Sequence, residues 1–337
     1  MLDLNINTKS PAAINSALKK IKEMVTAGAI TKETPVHLTL EAGTYRETIR
    51  YNLSNPLIME SAAGVKPEDC VIQADNCEAF NKGIDARGVF VIGPNATNIS
   101  LRHFSIINTH NKTSQNDVSL NDAAEALSFN NTNGTLFAEG MIIDGKQNTL
   151  FLKGISWFLD CTVSGDSEFI YGEIDTAFFE HCRIHLKEDT RGEFTGFAIK
   201  SSALNSKQGL VFDNCTFSAE KRRKSQLFVY KTEGKGSPDS PKSWDSVAFI
   251  RCLFSELYNQ ELVWDDDMQL EVFPRGNAKT GVREFNSKVI QKNGTVVEAE
   301  TSLRNVKTYT LTQDDFFAGY ASRYLLLKDT PFAAKLN

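Results

Sequence analysis

The chain has 337 residues, 41% of them hydrophobic and 23% charged, with a formal net charge of -5 and a pI near 5.7. That is enough apolar material for a folded core, and its acidic balance carries no nucleic-acid footprint. No apolar run approaches the ~20 residues that cross a bilayer. The six cysteines form no CxxC pair, which argues against zinc.

The opening Met1-Leu2-Asp3-Leu4-Asn5 is polar and runs straight into structure, unlike a signal peptide. A cytoplasmic location is expected for the chain as it stands, or secretion if a leader has been removed. Residues 11–27 predict a helix: Pro11 suits a first turn, Ile14, Ala17, Leu18 and Ile21 recur at helical spacing, and Gly28 ends it. This helix is expected to cap one end of the strand-rich region after it. Val36-His37-Leu38-Thr39-Leu40 alternates as a strand. Beyond it Arg46 and Glu47 are expected to pair with each other.

Short apolar strands then recur from about residue 36 to 290, separated by Asn, Gly and Asp turns, with no long amphipathic helix between them. An internal repeat runs through the second half. Phe158-Leu159-Asp160-Cys161, Phe179-Glu180-His181-Cys182, Phe212-Asp213-Asn214-Cys215 and Phe249-Ile250-Arg251-Cys252 all read Phe-x-x-Cys, at intervals of 21, 33 and 37 residues. A fixed core unit with variable insertions marks a solenoid whose loops bulge on particular faces. The cysteines are expected to stack inside it as buried thiols, each one strand spacing from the next. Residues 312–327, with Phe316-Phe317, Tyr320 and Tyr324-Leu325-Leu326, predict a closing helix along the outside. The chain is thus expected to be one all-β domain over 1–337. The basic run Lys221-Arg222-Arg223-Lys224 reads as an exposed loop.

Two stretches stand apart. Gly145-Lys146-Gln147-Asn148-Thr149-Leu150 is followed by Gly165-Asp166-Ser167-Glu168-Phe169-Ile170-Tyr171-Gly172. Asn148 and Glu168 lie 20 residues apart. If one solenoid turn takes about that many residues, they stand one above the other, roughly 4.8 Å apart in backbone position.

Gln-Asp-Thr-Leu followed about twenty residues later by Gly-x-x-Asp-Phe-Ile-Phe-Gly is the signature pair of the pectin methylesterases. This chain resembles that family over most of residues 11–290, with both acids altered. The resemblance implies a right-handed parallel β-helix, and methyl-ester hydrolysis on pectin or methylated oligogalacturonides. A monomer is expected, with no cofactor, no metal, no nucleic-acid partner and no membrane. It places Asn148 where the family has a proton-donating Asp, and Glu168 where it has a nucleophilic Asp. Gln147 is retained as an oxyanion donor. Ala123 replaces the first Gln of Gln-Ala-x-Ala-Leu, removing a donor worth about 3 kcal/mol in comparable sites. Lys231 falls near the family's Arg, without the Pro-Trp that follows it.

An amide cannot deliver a proton to departing methanol, which leaves two readings. In the first, Glu168 is nucleophile or base, Lys231 or Glu125 supplies the proton, and the substrate differs. In the second, the cleft has lost its chemistry and only binds pectin or an oligogalacturonide, or nothing functional remains there. Phe151, Trp157, Phe169, Tyr171 and Phe197 are the aromatics expected near the site as sugar platforms, Tyr171 foremost, with Glu125 pointing into the same cleft. Polygalacturonases need clustered Asp and a Gly-His-Gly, which are not found. The calcium cluster of a pectate lyase is not matched by Asp265-Asp266-Asp267, whose neighbours alternate faces.

Overall fold

The computed structural model describes all residues except 113–121, 189–195, 202–207, 222–226, 233–245, 259–262, 265–275, 305–307 and 337. Of the strand residues 196–197, 200–201, 227–228, 230–232 and 263–264 it describes the backbone only. Strands of two to seven residues build three long sheets, here A, B and C. Among the described residues these have 11, 10 and 8 strands. Each coil of chain contributes one strand to each sheet in turn. Within a sheet, neighbours pair in parallel with their counterparts one coil away, apart from the antiparallel pair Lys288–Ile290 and Val296–Glu298 at the end of sheet B. This is a parallel β-helix.

The Phe-x-x-Cys units form the join between sheets A and B. Phe158, Phe179, Phe212 and Phe249 stack along the interior of sheet A, with centroids 4.6, 4.7 and 5.8 Å apart and planes within 19°. Cys161, Cys182, Cys215 and Cys252 follow them as buried free thiols, as the repeat predicts. Between Phe and Cys the chain turns at one residue with a left-handed backbone: Asp160, His181, Asn214 and Arg251, all at φ 53–54°. One such residue is enough to swing the chain from one sheet into the next.

Helix α1 (Ala13–Thr26) covers the first coil with Ile14, Ala17, Leu18 and Ile21 buried. The expected Arg46–Glu47 pair is not what holds this corner. Glu47 instead accepts from the backbone N–H groups of Ile14 and Asn15 at 3.0 and 2.9 Å, satisfying the otherwise orphaned donors of the helix start. At the other end the single predicted closing helix is two, α2 (Gln313–Gly319) and α3 (Arg323–Leu327). Gly319 ends the first and the Ser322 hydroxyl caps the second. They lie on the outer face of sheet A and form a second apolar cluster with Phe137, Trp157, Phe178 and Val211. Arg323 pins this layer: its guanidinium pairs with Glu180 at 2.9 Å and sits 4.9 Å over the Trp157 ring.

Candidate active site

The two signature stretches are successive corners leading from sheet B into sheet C, at the strands Leu150–Leu152 and Ile170–Gly172. Two glycines make the stacking possible. A Cβ on Gly165 would lie 2.6 Å from the Lys146 carbonyl oxygen, and one on Gly172 only 1.9 Å from that of Leu152. Gln147 bridges to Ser167 in parallel register, and the Asn148 N–H donates to the Ser167 carbonyl at 3.1 Å. Asp166 N–H donates to Lys146 O at 3.1 Å.

Register extends this stack by one coil. Leu127 pairs with Leu150 and Leu150 with Ile170. The backbone bonds Ala124 N–H to Gln147 O and Ala126 N–H to Thr149 O continue that alignment backward. Glu125, Asn148 and Glu168 therefore form one column, each roughly 4.8 Å from the next. The two glutamates are separated by a neutral amide. Asn148 and Glu168 both have left-handed backbone, φ 62° and 44°, a conformation that costs a non-glycine residue energy and concentrates at functional sites.

The three members differ in surroundings. Glu168 and Gln147 are half-exposed, whereas Asn148 is buried. Glu125 is wholly buried and clamped. Arg87 Nε donates to its two oxygens at 3.0 and 2.9 Å, and Nη2 to Oε1 at 2.7 Å. The Tyr171 hydroxyl also donates to Glu125 Oε1 and accepts from Arg87 Nη2 at 3.0 Å. Glu78 takes Arg87 Nη1 at 2.8 Å. Burial, followed by the Glu125 charge, pushes the Tyr171 hydroxyl well above the ordinary phenol range. The hydrogen bond from Arg87 holds Glu78 below the ordinary carboxylate range.

A second buried ion pair lies under the Glu168 corner. Lys112 Nζ is 2.6 Å from Asp166 Oδ1, with both side chains at most 1% exposed. Beside it His110 is held between Asp75 at 2.9 Å and Asp122 at 3.0 Å. None of Arg87, Lys112 and His110 belongs to a motif readable in the sequence; each is brought in by coil stacking from a segment whose spacing to the signatures follows no period.

Several expectations need correction. Phe169 is fully buried in the interior core, so it cannot be a sugar platform. Trp157 lies on sheet A beneath the closing helices and is not near the site. Glu125 does not point into an open cleft with a transferable proton: both its oxygens are committed to Arg87, one of them also to Tyr171. Phe151 and Tyr171 do meet on the outer face of sheet C, half-buried, with ring centroids 5.2 Å apart and edge to face. Lys231 occupies the same row two strands beyond Tyr171, through Lys200. Its side chain, that of Phe197, Arg222, Arg223 and Lys224 of the basic run and all of Asp265-Asp266-Asp267 lie outside the described residues.

A family model described as pectinesterase matches residues 12–313. No curated protein matches. Among solved structures, the chain is similar to pectin methylesterase PemA from Erwinia chrysanthemi, with TM-score 0.69, 17% identity and 98% of each chain covered. It is similar to the pectin methylesterase of Yersinia enterocolitica, with TM-score 0.66, 17% identity, and 95% of this chain and 99% of that one covered. The carrot pectin methylesterase gives TM-score 0.66 and 13% identity over 88% and 84%. These likenesses fix the solenoid as the right-handed parallel β-helix. With the family model spanning most of its length, the chain belongs to the pectinesterase family, a family of carbohydrate esterases.

Proposed function

We propose that the protein is a carboxylic ester hydrolase that removes methyl esters from polygalacturonate or oligogalacturonides, with Glu168 as its nucleophile or base. One observation carries this reading: Glu168 is the half-exposed carboxylate of the Glu125–Asn148–Glu168 column, and Gln147 stands beside it one coil away. The Glu168 carboxylate attacks the ester carbon to give, as methanol leaves, an acyl anhydride that water then hydrolyses, or it draws a proton from an attacking water. The Gln147 side-chain amide donates to the oxygen that gains charge. Asn148 contributes a hydrogen bond from its own amide and no proton. The proton for departing methanol comes from Lys231 or from solvent, because Glu125 is committed to Arg87. Phe151 and Tyr171 form the adjoining floor, an apolar surface for a sugar ring.

The test is methanol release from methylated oligogalacturonides and pectin by the natural chain and by Glu168→Gln. Release that disappears in Glu168→Gln supports the reading. Release that persists in the variant assigns the chemistry elsewhere. A second reading, pectin or oligogalacturonide binding without hydrolysis, is favoured by the amide at Asn148. Tight oligogalacturonide binding without methanol release from the natural chain would establish it.

A further inference from the structure

A cavity of about 480 Å³ lies at the opposite end of sheet C from Lys231, between α1 and the strand Ile49–Tyr51. It is lined by Lys19, Lys22 and Arg50, by Asn15, Asn52 and Asn95, and by Leu18, Tyr51 and Leu53. No carboxylate is among these lining residues, although the chain as a whole carries a net charge of -5. The nearby acids are engaged. Glu47 caps α1. Asp85, close enough to act on Arg50, accepts from Asn130 at 2.9 Å. Glu23 faces Lys19 at 4.0 Å on the exposed side of the helix. The lining itself carries three cations and no carboxylate.

Arg50 is held in place. Its guanidinium donates to the Ile49 carbonyl at 2.9 Å and to the Ala86 carbonyl. Asn52 is fixed as well, its Oδ1 accepting from Asn95 N–H at 2.8 Å. A prearranged cation beside two exposed lysines recognises a carboxylate. The side-chain amides of Asn52 and Asn95 in the same wall suit hydroxyl groups, while that of Asn15 donates to Glu47 and the Thr48 carbonyl. Arg50 also belongs to the row of sheet C that leads to the candidate active site, pairing with Val91, which pairs with Ser128, which pairs with Phe151. Arg50 is therefore three strand spacings, roughly 14 Å, from Phe151. Val91 and Ser128 between them are buried.

We propose that this pocket binds a de-esterified uronate unit of an acidic oligosaccharide, apart from the ester being cut. The choice of an acidic sugar over other anions rests on the function proposed above; the anion preference rests on the pocket alone. The site would favour chains that carry free carboxylates, and its contribution would weaken with salt.

The experiment is a titration of the full chain, labelled with nitrogen-15, with trigalacturonate, a ligand that needs no hydrolysis. The Asn52 and Asn95 amide signals should shift, and the double variant Lys19→Glu/Lys22→Glu should need at least tenfold more ligand for the same shift. Both lysines are exposed on α1, so an unchanged melting temperature certifies the fold. Absence of shifts at the pocket overturns the proposal. So does an unchanged midpoint in the double variant, or displacement by inorganic phosphate at equal concentration. Methanol release from a methylated monomer is measured alongside, and should be unaffected by the double variant. A chain that shifts at Asn52 and Asn95 but releases no methanol from methylated oligogalacturonides or pectin would sink the esterase reading and leave the pocket standing.

Discussion

Asn148 and Glu168 stand one strand spacing apart with the same left-handed backbone, tied by the bond from the Asn148 N–H to the carbonyl of Ser167 at 3.1 Å. Asn148 also separates Glu168 from Glu125, so the column reads carboxylate, amide, carboxylate. A third carboxylate in the middle would face like charges on both sides at roughly 4.8 Å.

Asn148→Asp should therefore create a carboxyl group that keeps its proton well above the ordinary carboxylate range, because adjacent acids resist ionising together. Such a group is the acid that methanol departure requires. Methanol release should rise, by up to about 100-fold if proton delivery limits the natural chain. The rise should be greatest on the acidic side of the profile, where the new group stays protonated. A pH–rate comparison of the two chains is the check. Equal or slower release at every pH would mean that proton delivery is not what limits the natural chain.

The Arg87–Glu125 pair should behave as a buried ion pair whose halves cannot be removed singly. Arg87→Met strands a fully buried carboxylate, and should cost about 3–5 kcal/mol of stability. Arg87→Met/Glu125→Leu should recover most of that, since two apolar residues leave no charge behind. Urea unfolding of the three chains decides it. A double variant as unstable as the single one would show that packing, not charge, is what Arg87 provides.

Lys112 and Asp166 make a similar pair two residues before Glu168. Lys112→Met should lower both stability and any methanol release, because Asp166 left without that cation would pull the Ser167–Glu168 corner out of place. The neutral pair Lys112→Met/Asp166→Asn should regain stability. If the corner matters for chemistry, kcat should fall in the single variant with KM little changed. An unchanged kcat would confine the pair to a structural part.

The solenoid and the site differ in how far they can be read from sequence, and the reason is physical. Phe-x-x-Cys is visible because the same interior layer needs the same apolar shape on every coil. The left-handed corner before each cysteine is not visible, because Asp160, His181, Asn214 and Arg251 meet one backbone demand with four residue types. Phe169 and Trp157 are open to misplacement for a related reason. Alternation along a strand separates two faces, but does not tell which outer face later segments will cover. Trp157 is outward-facing and still buried, under α2 and α3. The Arg87–Glu125–Tyr171 network joins residues 38 and 46 positions apart along the chain, through coils of unequal length, so no fixed spacing reports it.

The stacked thiols carry the last prediction. Burial raises Cys161, Cys182, Cys215 and Cys252 above the ordinary thiol value, and pushes Cys70, a buried thiol outside that stack at the start of the strand Cys70–Ala74, up to about 12. A thiol reacts as its thiolate, so native protein at pH 8 should take up iodoacetamide at these positions only as fast as it unfolds. The same shift makes stability depend on alkali. A group whose folded pKa lies above its unfolded value binds its proton more tightly in the native state. The stability this gives is fully present below about pH 9, the ordinary thiol value, and for Cys70 is lost as pH rises toward about 12. The urea midpoint should fall between pH 8.5 and 10.5 by more in the natural chain than in Cys182→Ala/Cys215→Ala, each compared with its own value at pH 8.5. Equal falls would place the alkaline sensitivity in other groups, and rapid labelling of native protein would show the interior ladder to be open.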